Sequence, residues 1–221
     1  MPDELIEALR QRGFLIEILT TCCRTPDDDW WENGFDVGTE MVDGLTIHRF
    51  PVRCGGRARF AELAQRIRRG DRLGDDEQRA LFRHGIGSDA LVAYAARQQS
   101  LAPLLIVSTA HGLSHELVQV AGRHCVLLAG PFAEPQEGWS SIAETLRGAR
   151  KVVFWNTADR DDAIRRYASH TGRKLVESSV IHSASDAPRG DTALSIAPPG
   201  SPQWDTLADV LRHEVLAPCT S

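Results

Sequence analysis

Leu104–Trp155 reads LLIVSTAHGLSHELVQVAGRHCVLLAGPFAEPQEGWSSIAETLRGARKVVFW. Three apolar runs lie within it: Leu104–Ser108 (LLIVS), Cys125–Ala129 (CVLLA) and Val152–Trp155 (VVFW). Each is continuous rather than alternating, as expected for strands covered on both faces. Between them, Leu113–Ala121 and Trp139–Arg147 suit helices. Strands alternating with helices imply parallel pairing through right-handed crossovers. The stretch therefore predicts an α/β fold with a parallel sheet.

Towards the carboxyl terminus the pattern continues with a helix over Asp159–His170 and a stop at Gly172. Two weaker strands, Leu175–Val180 and Thr192–Ala197, flank a polar loop over Ser183–Asp191. Residues 198–203 read as a linker and 204–216 as a last helix. Towards the amino terminus, helices are expected over Ala58–Arg69, Asp75–His84 and Ser88–Gln98. Leu45–Val52 (LTIHRFPV) alternates like a strand. Thr20–Gly38 is polar, rich in Asp and Trp, and reads as a loop. Before it, Leu5, Ile6 and Leu9 repeat at helical spacing up to Gly13, and Phe14–Leu19 (FLIEIL) is a short apolar run. The expectation is one Rossmann-like domain over residues 1–197. Its doubly wound, mainly parallel sheet centres on Phe14–Leu19, Leu104–Ser108, Cys125–Ala129 and Val152–Trp155.

With 221 residues, 42% hydrophobic and 25% charged, the chain is long enough to bury a sizeable core. A net charge of −5 argues against a large nucleic-acid footprint. No apolar run approaches the roughly 20 residues that span a bilayer, and no secretory signal pattern is present, so a cytoplasmic protein is expected. The five cysteines are scattered without CxxC spacing, which disfavours structural zinc. Cys22 and Cys125 fall on apolar strand patterns and read as reduced core residues.

Leu19–Val52, LTTCCRTPDDDWWENGFDVGTEMVDGLTIHRFPV, resembles the amino-terminal domain of family 4 glycosyltransferases, which have the GT-B architecture of two Rossmann-like domains facing a cleft. An "LTTCA" strand end, a Trp-containing loop, a "GTE..DG" turn and a strand ending "RFPV" carry the likeness. Gly112-Leu113, Glu134-Pro135 and Asn156-Thr157 keep the family order, over roughly Pro2–Val180. The chain departs from the pattern in three ways. The opening strand with its Gly-rich turn does not precede the first helix. Where relatives read "TAHDEP", this sequence has Gly130-Pro131-Phe132-Ala133-Glu134-Pro135 and so lacks the titratable His-Asp pair. The carboxy-terminal donor-binding domain is not expected within 221 residues. Charge stabilisation on a leaving diphosphate would then have to come from elsewhere.

Candidate site residues follow from chemistry and position. Sugars stack on indole faces, so Trp30 and Trp31 in their polar loop could hold an acceptor, or could pack that loop onto the domain. His111 and Ser114 are expected at the carboxyl end of a parallel strand, the side on which open α/β sheets bind ligands; capping and surface roles are the alternative. Glu134 matches the family's acidic position and could accept a sugar hydroxyl, or simply bond its own loop. Arg24, Arg53 and Arg57 could touch an anion or remain solvated. Asn156 and Thr157 read as helix caps. Asp27–Asp29 reads as a solvated turn, and His111/His115 lack the HExxH arrangement of a zinc helix. No cofactor, metal or catalytic residue is assigned.

The resemblance implies an acceptor-side domain that joins in glycosyl transfer only with a donor-domain protein, or through self-association, and acts on a sugar or glycosylated acceptor. A non-catalytic binding or scaffold module, or a gene fragment, are the other readings. Neither nucleic acid nor a membrane span is expected.

Overall fold

The computed structural model describes residues 3–24, 30–98, 102–108, 111–130, 138–182 and 199–215. In chain order these form α1 (Asp3–Gln11), β1 (Glu17–Thr21), β2 (Gly38–Val42), β3 (Leu45–Phe50), α2 (Arg57–Arg68), α3 (Asp75–His84) and α4 (Asp89–Gln98). There follow β4 (Leu104–Val107), α5 (Gly112–Ala121), β5 (Cys125–Ala129), α6 (Ser140–Gly148), β6 (Lys151–Asn156), α7 (Thr157–Thr171), β7 (Ser179–His182) and α8 (Gln203–Val210). A π-helical turn, Leu211–Val215, extends α8.

The fold is mixed α/β and mostly parallel, compatible with a Rossmann-like domain. Its strands form two sheets instead of the single expected one. Four strands, in order β4-β5-β6-β7, are all parallel. Three others run in order β1-β3-β2, with β1 parallel to β3 and β2 antiparallel to it. Strands β1 and β4 therefore do not pair with each other.

The parallel sheet shows why continuous apolar runs become doubly covered strands. Successive side chains point to opposite faces. Cys125, Leu127 and Ala129 of β5 join Val152 and Phe154 of β6 in one cluster, together with residues of α2 to α7. Val126, Leu128, Val153 and Trp155 face the other way, onto α1 and α8. All five residues of β5 are fully buried. Burying such a side chain is worth roughly 1.5–3 kcal/mol for the larger ones. Trp155 and Trp204 meet edge-on, ring centroids 6.2 Å apart, and seat α8 on the sheet.

Local chemistry sets the helix ends. Three acidic residues, Asp75, Asp76 and Glu77, open α3, and Arg83 and His84 close it, matching the helix dipole at both ends. Glu77 also reaches back to accept the Gly74 backbone N–H. The Asn156 side chain caps α7 by accepting from the Asp159 N–H at 2.7 Å, as the sequence predicts.

Several boundaries differ from expectation. The first strand begins at Glu17, three residues later than Phe14, because the Phe14 N–H still closes the end of α1 on the Leu9 carbonyl. Strand β2 starts at Gly38, where the expected loop ends, and occupies a stretch for which no strand was expected. It forms a hairpin with β3 through Asp43 (φ 49°) and Gly44 (φ 76°). Two left-handed residues in a two-residue loop make the turn that suits strand twist, and Asp-Gly is its usual sequence. The strand expected at Leu175 starts instead at Ser179, after a 3-10 turn over Gly172–Lys174. Asp27–Asp29 and Thr192–Ala197 lie outside the described residues.

Candidate functional site

The strands β1, β3 and β4 end near a group of loops that converge on the last turn of α3. Trp31 donates its indole N–H to the His84 carbonyl at 3.0 Å. Trp30 stacks edge-on against Phe60 of α2, centroids 5.0 Å apart, and Trp31 meets the same ring at 5.6 Å. The Arg57 guanidinium lies 5.9 Å from the Trp31 ring centre, within range of a cation–π contact. Both indoles are half-buried. The pair thus holds its loop onto α2 and α3, and leaves part of its aromatic surface to solvent.

Gly112 opens α5 against the same turn of α3. A Cβ at this position would overlap the Phe82 carbonyl. Only glycine lets the two backbones come this close. The adjacent His111 occupies the N-cap position in an extended conformation (φ −111°, ψ 143°). It is exposed, yet desolvation by its surroundings pushes its pKa below the usual value. Trp31 and Gly112 are therefore both held against the carboxyl end of α3. Ser114 sits in the first turn of α5, buried at 6% exposure. Glu134 lies outside the described residues.

His115 turns to α6, where its Nδ1 lies 2.9 Å from the Thr145 hydroxyl. That hydroxyl already donates to the Ser141 carbonyl at 2.8 Å, so His115 donates through Nδ1–H. Burial lowers the His115 pKa, only partly offset by Glu144 and other groups. Among the described residues there is no group of three or more His, Cys, Asp or Glu suited to a metal ion.

The arginines divide. Arg53 bonds Asp89 at 2.6 Å and Glu116 at 2.7 Å, with its side chain 13% exposed. It also donates to the Arg83 carbonyl. Its charge is thereby committed to joining β3 to α3, α4 and α5. Arg24 donates to the Gly34 carbonyl at 3.0 Å and approaches the Phe35 ring. Of the three, Arg57, 5.9 Å from the Trp31 ring centre, borders the candidate site.

The carboxyl edge of the four-stranded sheet contains two features that the sequence reading missed. Ser108, just after β4, has φ 85°, an uncommon conformation for a non-glycine residue that costs on the order of 1–3 kcal/mol. Its N–H bonds the Leu128 carbonyl at 3.0 Å. Asp159, after β6, lies against Gly130 (φ 104°), where a Cβ would come 3.0 Å from its carboxylate. Desolvation raises its pKa, and the Asn156 side chain, donating at 2.9 Å, works against that rise. The Asn-x-x-Asp spacing signals the cap; nothing in the sequence alone signals the Gly130 contact.

The free cysteines Cys22 and Cys125 are buried, as expected for core residues. Burial pushes the Cys125 thiol up to about 11, which keeps it protonated and unreactive. No helix among the described residues is long and apolar enough to cross a membrane. Comparison with protein-family models, with curated proteins and with solved structures finds no match.

Proposed function

We propose that this chain is a glycosyltransferase-like acceptor-side domain that takes part in glycosyl transfer together with a donor-binding domain. The observation that carries the reading is the tryptophan pair at the carboxyl ends of β1 and β3. Trp30 and Trp31 are half-buried, backed by Phe60 and bordered by Arg57. A sugar ring offers apolar C–H surface to such a face and hydroxyls to its polar rim. The loop that bears the pair lies within the Leu19–Val52 stretch on which the likeness to family 4 glycosyltransferases rests.

His111, whose pKa desolvation lowers, is in the same proposal a neutral imidazole able to accept or donate a hydrogen bond to a sugar hydroxyl. Glu134 is a second acceptor in the same proposal. Ser114 supports the first turn of α5 behind His111. No diphosphate cradle is built by Arg53, whose charge Asp89 and Glu116 already neutralise. The domain by itself is therefore assigned no turnover. The alternative, a binding module with no part in catalysis, shares the sugar site and differs only in needing no donor domain.

Two titrations of the purified chain test this. Ligand-observed NMR with mono- and disaccharides is expected to give saturation transfer to sugar C–H protons, lost in Trp30→Ala while the circular dichroism spectrum is retained. Calorimetry with UDP-glucose and GDP-mannose is expected to give binding weaker than micromolar, and the chain no transfer. Absence of contact with any sugar would overturn the reading, and so would tight donor binding with turnover.

A further inference from the structure

A chain of polar contacts crosses all three strands of the smaller sheet. The Thr39 hydroxyl of β2 lies 2.9 Å from Nδ1 of His48 on β3. Nε2 of the same ring lies 3.2 Å from the Glu17 carboxylate on β1. Register explains why these side chains meet. Thr39 stands directly opposite His48. Glu17 is opposite Thr46 and so diagonal to His48, within reach of a long side chain. All three therefore share one face of the sheet. On that face Tyr94 of α4 backs the His48 ring, centroids 5.5 Å apart. The His48 side chain is 18% exposed, whereas Thr39 is open to solvent.

The order of bonding follows from what each group can do. A carboxylate only accepts, so in the neutral ring Nε2 carries the proton and donates it to Glu17. Nδ1 is then bare, and the Thr39 hydroxyl donates to it. A hydroxyl that donates to an imidazole, itself oriented by a third group on its far side, is the arrangement that activates a nucleophile. Register supplies one more part. The Cys22 N–H bonds the Phe50 carbonyl, so Phe50, and with it His48 two residues earlier, turns its backbone groups towards β1. Thr39, opposite His48, consequently points its own N–H away from β3. Among the described residues β2 has no strand on that outer side.

We propose that Thr39, His48 and Glu17 form an acyl-transfer site for small esters. Thr39 is the nucleophile, His48 its general base, and Glu17 the group that orients His48. Thr39 Oγ1 bonds to the ester carbonyl carbon, and its proton passes to His48 Nδ1. The carbonyl oxygen, now negative, accepts the outward Thr39 N–H. The bond from that carbon to the alcohol oxygen then breaks, and the alcohol leaves with the proton from His48. Thr39 is left as an ester. Water, giving its proton to His48, attacks that ester in turn, releases the acid and restores the hydroxyl. Met41, two residues on and on the same face, is 69% exposed and offers apolar surface to the acyl group. The inference is independent of the glycosyl-transfer reading.

Incubation of the purified chain with p-nitrophenyl acetate, followed by acid quench and peptide mass mapping, tests it. Expected are release of p-nitrophenol that Thr39→Val abolishes, and an acetyl group trapped on Thr39. His48→Gln should slow that release by about a hundredfold and Glu17→Gln by about tenfold. Should His48→Gln fail to fold, Glu17→Gln decides, because Glu17 is 63% exposed and the change keeps its shape. A network that merely joins the strands would alter the melting temperature of these variants and leave Thr39 unlabelled in the parent. That result would overturn the proposal. Equal rates in the parent and Glu17→Gln, or acetylation confined to other residues, would do the same.

Discussion

Gly112 is the tightest backbone contact in the molecule's candidate site. Its Cα lies against the Phe82 carbonyl with no room for a side chain. Gly112→Ala must push α5 away from α3, and is expected to destabilise the fold by about 1–3 kcal/mol. A lower urea midpoint at unchanged m value would register it. Because His111 is the preceding residue, the same change should move its NMR signal. A variant as stable as the parent would mean that α3 and α5 do not approach as described.

Arg53 can be weighed in the same way. Removing it leaves Glu116, only 19% exposed, without its main counter-charge. Breaking a fully buried pair costs about 3–5 kcal/mol. Asp89 is 66% exposed, so solvent takes up part of the loss, and Arg53→Met is expected to cost about 1–3 kcal/mol. A double-mutant cycle with Glu116→Gln should return a coupling of on the order of 1 kcal/mol. A coupling indistinguishable from zero would remove Arg53 from the account as the tie between β3 and the helices.

At the scale of elements, α5 and α6 are joined by the His115–Thr145 bond, and this gives stability a pH dependence. Burial holds the folded His115 pKa below its unfolded value of about 6.5. As pH falls through that value, the unfolded chain takes up a proton that the folded chain refuses. Stability is therefore complete above the unfolded pKa and declines as pH falls towards the folded one, by at most about 1.4 kcal/mol per pH unit for one proton. Urea midpoints should drop between pH 7.5 and pH 5.5. His115→Gln should flatten that slope and leave the share that belongs to His111. Identical slopes for parent and variant would count against a half-buried, neutral His115.

Elements also show what the sequence disclosed. LLIV, CVLLA and VVFW were legible because both faces of each strand are covered, which selects apolar residues along the run. Helix α3 was legible from its charged ends. Strand β2 escaped because it lies at an edge with all five residues exposed, so it carries no inward-facing pattern; Asp43-Gly44 was the signal to follow. The site was less legible. The tryptophan loop could be named, but its backing by Phe60 and its bond to His84 join residues far apart in the chain. The strained Ser108 and the contact of Asp159 with Gly130 are properties of backbone geometry, on which side-chain patterns are silent.

At the scale of the whole molecule, the described residues form a mostly parallel α/β fold with helices on both faces of the four-stranded sheet and an aromatic cluster at strand ends. Five tryptophans make this unusually easy to interrogate. Trp139, Trp155 and Trp204 are buried in the two cores, whereas Trp30 and Trp31 are half-buried at the site. An indole-region spectrum of the nitrogen-15-labelled chain, titrated with mono- and disaccharides, therefore reports on binding and location together. The account predicts saturable shifts of the Trp30 and Trp31 indole signals, with those of Trp139, Trp155 and Trp204 unmoved. Five unmoved signals at tens of millimolar sugar, or shifts confined to the buried three, would contradict it.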